Sequence, residues 1–309
     1  MNTFFLIVGV GAVLSSVTLT SVPTISNVSP TSGSTYGGAV LTINGNGFAN
    51  SSSNIQVTVG TGSCAIVQTT PGQVQCVVPP QGSSASSATV LVVSNGVTFP
   101  GSSTYTYDSA STPTISSISP TSGTSGQSLV ISGSNFVSGQ TTVTVGGVPC
   151  VVGSVSSTSV TCTVGSSPAG NQPVVVSIAS VGQSNANIPF SYTLQVSSAS
   201  PSQGSYGGGQ SVTVIGDGFN ASTISVTICT QPCQSVTVLS NTQLTCVTPA
   251  ATYSSSDTSC SLTVTIGSSS QNVAYTYRAT LTATVTGVSP ARGGTGGGTL
   301  LTITGTNFP

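Results

Sequence analysis

The sequence predicts an all-β protein of tandem immunoglobulin-like β-sandwiches, three complete and one partial. Three observations lead to this prediction: an internal repeat of about 80 to 90 residues, short apolar runs of period two, and an almost complete lack of charge. Short β-branched runs bounded by Gly, Ser, Asn or Pro are typical of strands. Many such strands in units of this size are typical of two-sheet sandwiches.

One repeated segment opens each unit. It begins with Ser-Pro and ends with a glycine-containing turn and Phe, and its first copy reads SPTSGSTYGGAVLTINGNGF from Ser29. Further copies begin at Ser119, Ser200 and Ser289, so the units have the length of small domains rather than of solenoid repeats. We therefore predict a signal peptide or extra N-terminal strand at 1–21, followed by modules 1 to 4 at 22–109, 110–194, 195–279 and 280–309.

The residues of the opening segment have predicted structural roles. Pro30 is expected just ahead of the first strand, where a missing N–H donor is tolerated. Gly45 and Gly47 are expected to supply positive φ or a close backbone approach at a strand end, and Phe48 to pack in the core. A phosphate-binding loop would need a following helix, whereas a strand-rich, Ser- and Asn-rich segment follows. The glycines are therefore interpreted as structural.

The first three modules continue in the same order. Each has an alternating strand, two cysteines, a second alternating strand and a closing pair of aromatic residues two positions apart. This order resembles the IPT/TIG repeats, immunoglobulin-like modules of plexins, the hepatocyte growth factor receptor family, fibrocystin-like surface proteins and Rel-type transcription factors. The resemblance covers about residues 22–309 and implies β-sandwiches of the IPT/TIG, E-set type. The aromatic pairs are Tyr105 and Tyr107, Phe190 and Tyr192, and Tyr275 and Tyr277.

The chain has too few charged residues for most kinds of enzyme catalysis and for nucleic acid binding. Charged residues make up 2% of the chain, as Arg278, Arg292, Asp108, Asp217 and Asp257, and the chain has no His, Lys, Glu or Trp. Without a histidine base, Ser-His-Asp and Cys-His catalysis are excluded, and the scattered aspartates do not predict a glycosidase pair. Two arginines cannot neutralise a nucleic acid backbone. We predict that the chain is not an enzyme and binds no cofactor or nucleic acid.

Asp217, in the turn GDGF, is a candidate calcium ligand. A single carboxylate makes a poor calcium site, so an aspartate that accepts hydrogen bonds from its own turn is the favoured interpretation. No metal site is predicted.

The cysteines indicate an oxidised, extracellular protein. Modules 1, 2 and 3 each carry a pair 12 or 13 residues apart at equivalent positions, which predicts a disulfide between neighbouring strands. Module 3 has two further cysteines that are expected to pair, although a redox or metal pair of Cys229 with Cys233 is an alternative. The predicted disulfides are Cys64 with Cys76, Cys150 with Cys162, Cys233 with Cys246, and Cys229 with Cys260.

The N-terminal segment MNTFFLIVGVGAVLSSVTLT contains an apolar run from Phe4 to Leu14. Eleven residues are too few to span a bilayer, which needs about 20 residues as a helix. A cleaved signal peptide is the favoured interpretation, although a basic n-region is missing. The alternative is an additional strand packed on module 1 or on another molecule.

A surface of Ser, Thr, Asn and Gly lacks the charges that normally prevent sheet-edge association. Glycans are the expected cover, with N-linked candidates at Asn50, Asn220 and Asn27. Residues 83–87, 102–112 and 254–256 are candidate O-linked stretches.

Tyr36 and Tyr206, in the opening loops of modules 1 and 3, are the expected exposed contacts for a partner. The resemblance implies an extracellular or cell-surface adhesion or recognition rod that binds a protein or glycan partner. A structural subunit of a self-associating fibre or coat, and an accessory region of a secreted polysaccharide-active enzyme, are the alternatives. A membrane anchor is expected only beyond Pro309, where the fourth module stops halfway through a sandwich.

Overall fold

The computed structural model describes residues 24–99, 103–220, 222 and 224–308. This part of the chain is almost entirely strand, with two short 3-10 turns at Ser52–Asn54 and Ala279–Leu281. The predicted N-terminal signal peptide or strand lies outside these residues. No helix in the described ranges is long and apolar enough to cross a membrane.

Module 1 is a sandwich of two sheets. One sheet has the order β1-β3-β6-β5 and the other β2-β9-β7-β4-β5, with β8 paired to β7; β5 belongs to both because it crosses from one sheet to the other. All pairs are antiparallel except β2 with β9. The strands are β1 (Thr24–Ser29), β2 (Ser32–Gly33), β3 (Val40–Asn46), β4 (Ile55–Val59), β5 (Gly62–Thr70), β6 (Gln73–Val77), β7 (Ser86–Ser94), β8 (Val97–Thr98) and β9 (Ser103–Tyr107).

Strand β1 precedes Pro30, so the expectation that this proline introduces the first strand is wrong. The strand ends at Ser29, and the Ser29–Pro30 peptide bond is cis. Because proline has no N–H to donate, β1 stops pairing with β3 here, and the chain crosses to the other sheet as β2. Pro120, Pro201 and Pro290 follow their strands in the same cis form.

The core of module 1 lies between the two sheets. Leu41 and Ile43 of β3 are fully buried, and Phe48 stacks on Phe99 with ring centroids 4.8 Å apart. A Cβ on Gly45 would lie 2.1 Å from a backbone oxygen of the neighbouring strand and 2.7 Å from the Phe48 ring. The predicted close approach at this glycine is therefore present, and it seats the ring against the strand end.

Modules 2 and 3 repeat this arrangement. In module 3 the crossing strand is divided into β23 and β24, with Cys233 between them. The strands of module 2 are β10 (Thr114–Ser119), β11 (Ser122–Gly123), β12 (Ser128–Ser134), β13 (Thr141–Val145), β14 (Val148–Val155), β15 (Ser159–Thr163), β16 (Gly170–Ile178), β17 (Gly182–Gln183) and β18 (Pro189–Tyr192). Those of module 3 are β19 (Gln195–Ser200), β20 (Gln203–Gly204), β21 (Ser211–Asp217), β22 (Ile224–Ile228), β23 (Gln231–Pro232), β24 (Gln234–Ser240), β25 (Gln243–Val247), β26 (Thr258–Ile266) and β27 (Ser269–Tyr277).

The described part of module 4 is a two-stranded hairpin of β28 (Thr284–Ser289) and β29 (Thr302–Thr306). Its pairing repeats that of β1 with β3, but its apolar side chains lack the opposing sheet that covers them in the other modules. Leu301, Ile303 and Phe308 are 54%, 54% and 48% exposed, whereas the equivalent residues of module 1 are at most 4% exposed.

Candidate functional site

The four disulfides are the first candidate feature of the structure. Cys64 lies where β5 still pairs with β4, and Cys76 lies in β6 of the opposite sheet, so their disulfide closes the sandwich where β5 crosses between sheets. The disulfides of modules 2 and 3 repeat this position. The bonded pairs and their Cα–Cα distances are Cys64–Cys76 (5.5 Å), Cys150–Cys162 (5.5 Å), Cys233–Cys246 (5.8 Å) and Cys229–Cys260 (5.2 Å).

The additional disulfide of module 3 has a different role. It joins the turn after β22 to β26, two neighbouring strands of one sheet. Because Cys229 and Cys233 each bond to another cysteine, the arrangement does not favour a redox or metal pair between them. No group of three or more potential metal ligands occurs in the described residues.

The three candidate glycosylation residues lie in different surroundings. Asn50 is exposed in the loop that follows the Gly-x-Gly-Phe turn. Asn220 is half-buried, and its side-chain oxygen accepts a hydrogen bond of 2.9 Å from the Ser222 N–H. Asn27 lies within strand β1, where its side-chain oxygen accepts a bond of 2.8 Å from Asn44. Asn50 and Asn27 are both exposed, and Asn50 is the one of these two that lies in a loop.

Tyr206 is buried, so the expectation that it is an exposed contact is wrong. It stacks on Tyr277, meets Tyr253 edge to face, and donates from its hydroxyl to the Ser256 carbonyl. Its side chain is 2% exposed, whereas Tyr253 is 52% exposed. A cleft of about 640 Å³ adjoins the Tyr206 ring in module 3. Tyr36 is half-buried, and its role as a contact stays a prediction.

Contacts between consecutive modules are the most extensive polar feature that sequence reasoning missed. We call them the first, second and third joints, between modules 1 and 2, 2 and 3, and 3 and 4. Tyr107 and Pro120 are 13 residues apart across the first joint, Tyr192 and Pro201 are 9 apart across the second, and the third again spans 13 residues. The second joint therefore has four fewer residues with which to connect its modules.

In the first joint, a turn of module 2 docks on the opening loop of module 1. Ser34 donates its N–H to the Val181 carbonyl over 2.7 Å and its hydroxyl to the Gln183 carbonyl over 2.5 Å. Gln183 in turn donates its N–H to the Gly37 carbonyl over 2.7 Å. At Gly182 φ is +116°, and a Cβ would lie 2.2 Å from the Gly37 carbonyl oxygen. Only glycine fits this turn without a shift.

The linker of the first joint is bonded to both modules. The Thr112 hydroxyl accepts the Thr35 N–H over 3.0 Å and donates to the Asp108 carbonyl over 2.6 Å. Asn135, at a positive φ of 61°, donates its side-chain amide to the carbonyls of Ala110 and Thr112. Thr112 is 2% exposed, so the predicted O-linked stretch 102–112 is wrong at this residue; Ser102 lies outside the described residues.

The third joint repeats the linker of the first. The Thr282 hydroxyl accepts the Tyr206 N–H over 2.9 Å and donates to the Arg278 carbonyl over 2.9 Å. Asn307, at φ 58°, donates to the carbonyls of Ala279 and Thr282. These equivalent bonds show that Tyr206 occupies the position in module 3 that Thr35, rather than Tyr36, occupies in module 1. Thr35 is also buried, which explains why Tyr206 is buried.

The second joint is built around Asp217. Its carboxylate is 5% exposed and accepts the Ser125 N–H over 3.0 Å, the Ser166 hydroxyl over 2.5 Å and the Tyr192 hydroxyl, all from module 2. It also accepts the Gly218 N–H of its own turn over 3.1 Å. The favoured interpretation, an aspartate bonded to its own turn, accounts for only this last bond.

The pKa of the Asp217 carboxyl reflects two opposing causes. Burial raises it, but the hydrogen bonds from Ser125, Ser166 and Tyr192 outweigh burial and hold it below its ordinary value. For Tyr192, burial and the neighbouring Asp217 both raise the pKa of the phenol. The carboxylate is therefore ionised and the phenol protonated at neutral pH. With its oxygens occupied by protein donors, Asp217 fits a hydrogen-bond acceptor better than a calcium ligand.

The same tyrosine has a different partner in the other modules. The Tyr107 hydroxyl donates to the Pro79 carbonyl over 2.8 Å, and the Tyr277 hydroxyl donates to the Pro249 carbonyl over 2.7 Å, in both cases within one module. Module 2 has Gly165 in place of this proline. Tyr192 instead donates across the second joint.

These features define a protein of tandem immunoglobulin-like modules, closed by disulfides and bonded to one another at their joints. The IPT/TIG domain family matches residues 23–107, 113–192, 194–277 and 283–309, and the chain belongs to this family. The assignment agrees with the resemblance and the fold class that the sequence predicts.

The chain is similar to fibrocystin-L of two species. It is 37% identical to fibrocystin-L of Mus musculus and 34% identical to fibrocystin-L of Homo sapiens over 303 residues, which is 96% of this chain and 7% of each relative. Among solved structures, the plexin A4 extracellular region matches 82% of this chain and 24% of its own, at 18% identity and a TM-score of 0.34. No catalytic family is indicated by these matches. The disulfides and the fibrocystin-L similarity fit an extracellular, non-catalytic recognition region.

Proposed function

We propose that this chain is an adhesion or recognition rod of an extracellular or cell-surface protein, whose glycosylated modules present their loops to a protein or glycan partner. The observation that supports the proposal most directly is the pair of docked joints between modules 1, 2 and 3. Hydrogen bonds between modules hold neighbouring loops in a constant relation, which reduces the entropy lost when a partner binds several loops at once.

The uncharged surface supports glycan cover as part of the function. A sheet edge without charge is prone to pair with another molecule, and a large hydrophilic sugar blocks that pairing. Asn50 lies two residues after the Gly-x-Gly-Phe turn of module 1 and Asn220 one residue after that of module 3, so their glycans would lie in corresponding loops. Asn27, inside a paired strand, is the weakest of the three candidates.

The test is to secrete the chain from mammalian cells and to measure intact mass under non-reducing conditions, with and without enzymatic removal of N-glycans. We expect a mass eight hydrogens below that of the reduced protein, from four disulfides, and a loss of glycan mass in Asn50→Gln and Asn220→Gln. Asn27→Gln is the matched control and leaves the mass of attached sugar unchanged. Free thiols and an unmodified chain would contradict the proposal.

Recognition itself is tested with the same material. Surfaces coated with the secreted chain should retain suspended mammalian cells more strongly than surfaces coated with the reduced and alkylated chain, which has lost its folded loops. Equal retention on both surfaces would contradict specific recognition by the folded modules.

A fibre subunit is the second candidate, and the scarcity of charged residues, which make up 2% of the chain, is the observation that favours it. A sheet edge without charge is prone to pair with another molecule. Electron microscopy of the secreted chain should then show filaments that persist in a Leu301→Ser, Ile303→Ser variant, which removes apolar side chains from the exposed hairpin of module 4. Separate particles from the unmodified chain, or filaments lost in this variant, would contradict the fibre.

A further inference from the structure

Asp217 is a charged residue that is buried and accepts hydrogen bonds from another module. It is the one buried charged side chain in the described ranges, and the one ion pair found there joins Arg278 to Asp257 instead, at the surface. A buried carboxylate without a cation is costly unless hydrogen bonds replace its hydration. Three of the four donors that do so belong to module 2.

This placement links the ionisation of one residue to the contact between two modules. Hydrogen bonds to an ionised acceptor are roughly twice as strong as those between neutral groups. If modules 2 and 3 separate, Asp217 loses its bonds to Ser125, Ser166 and Tyr192 together. These bonds therefore favour one arrangement of the two modules over all others.

Further contacts around the carboxylate require the same arrangement. The Ala169 N–H donates to the Gly218 carbonyl over 2.8 Å, and the Asn241 side-chain amide donates to the Ser166 carbonyl over 3.0 Å. At Gly218 φ is +90°, and a Cβ there would lie 3.2 Å from the Ala169 Cβ and 3.3 Å from the Leu194 Cα. The turn that carries Asp217 is thus packed closely against both module 2 and the linker.

We infer that Asp217 is a positioning residue that locks module 3 onto module 2, so that the two modules move as one rigid body. The residue acts through its bonds to module 2, which supplies three of its four hydrogen-bond donors. The inference concerns the shape in which loops are presented and does not depend on which partner they bind.

The experiment measures amide hydrogen exchange by NMR in the whole 309-residue chain and in its Asp217→Ala and Asp217→Asn variants. The Ala169 amide is the informative probe because its acceptor, the Gly218 carbonyl, is untouched by either substitution. We expect its exchange to accelerate at least tenfold in Asp217→Ala. A smaller increase is expected in Asp217→Asn, which keeps one acceptor oxygen and matches Asn46 of module 1.

Internal amides separate a loss of locking from a loss of folding. Val164 donates to the Gln127 carbonyl within module 2, and Thr248 donates to the Gln210 carbonyl within module 3, and we expect neither to change. Asp257→Asn is the matched control, since Asp257 is a surface aspartate, and it should leave Ala169 unchanged. The inference is overturned if Ala169 exchanges at the original rate in Asp217→Ala, or if Val164 and Thr248 accelerate with it.

Small-angle X-ray scattering gives an independent measure of the same property. Locked modules scatter as one body, so Asp217→Ala should broaden the distribution of interatomic distances while the internal amides stay protected. An unchanged distribution in a variant whose Ala169 amide has become exposed would contradict rigid locking.

Discussion

The first and second joints connect the same kind of module by different means. The first joint spreads its bonds over a docked turn and a linker, through neutral donors and acceptors such as Ser34, Thr112 and Asn135. The second joint has a linker four residues shorter and concentrates its bonds on the Asp217 carboxylate. A distributed joint tolerates the loss of a single polar group, whereas a concentrated one depends on the residue at its centre.

The largest expected effect at the first joint is that of Gly182→Ala. The new Cβ would meet the Gly37 carbonyl oxygen at 2.2 Å, so the turn must leave its dock, and the Gln183 amide should exchange at least tenfold faster. Gly147→Ala is the matched control, because that glycine also has a positive φ but has open space around it. Accelerated exchange at Ala169 in Gly182→Ala would show that the two joints are coupled and would contradict their separation.

Acid should open the second joint before the first. The pKa of Asp217 is lowered by its hydrogen bonds from an ordinary value of 3.8, so its contribution is complete above pH 3.8 and is lost as pH falls through the lower, folded value. We expect Ala169 exchange, corrected for the intrinsic pH dependence, to rise only below pH 3.8, and Asp217→Asn to abolish this rise. The pKa of half-buried Asp108, beside the first joint, is also lowered, by the Ala110 N–H, so Asp108→Asn is the control. A rise between pH 5 and 8 would contradict the assignment.

Thr112→Val should weaken the first joint without opening it. The change keeps the shape but removes the hydroxyl that accepts the Thr35 N–H and donates to the Asp108 carbonyl. A buried donor left unpaired costs about 1–3 kcal/mol, so we expect the Thr35 amide to exchange faster while Gln183 stays protected. Ser109→Ala, at an exposed linker position, should have no effect on either amide.

The closing tyrosines provide the smallest and most specific comparison. Tyr107→Phe removes a bond to Pro79 within module 1 and should cost that module about 1 kcal/mol, whereas Tyr192→Phe should instead accelerate exchange at Ala169. Tyr105→Phe should be neutral or slightly stabilising, because the buried Tyr105 hydroxyl has no hydrogen-bond partner in the structure. Chemical denaturation of each variant measures the cost, and a large loss in Tyr105→Phe would contradict this account.

Much of the fold is predictable from local patterns in the sequence. The alternating runs predict strands, and the spacing of the closing aromatic residues places both members of each pair in the core, where all six side chains are at most 2% exposed. The position of Pro30 is harder to predict, because its role depends on a strand ahead of Ser-Pro that the apolar pattern of residues 24–29 marks only weakly.

The joints are harder to predict because their bonds join residues that are far apart in sequence. Asp217 lies 92 residues from Ser125, and nothing near Asp217 in the sequence indicates that the preceding module supplies its donors. Two signals were nevertheless present in the sequence. The segment between Tyr192 and Pro201 is four residues shorter than its counterparts, and Asp217 carries a charge where the equivalent residues, Asn46 and Ser134, carry none.

The unequal spacing of the modules also bears on how this chain can be recombined. A chimera cut within the second joint would leave Asp217 without its hydrogen-bond donors from module 2, even though each half kept a complete sandwich. A cut in the linker of the first joint would divide a contact made of neutral bonds, each replaceable by water. The unit that can be transplanted into another multidomain protein with its geometry intact is therefore the pair of modules at 110–279 rather than the single repeat.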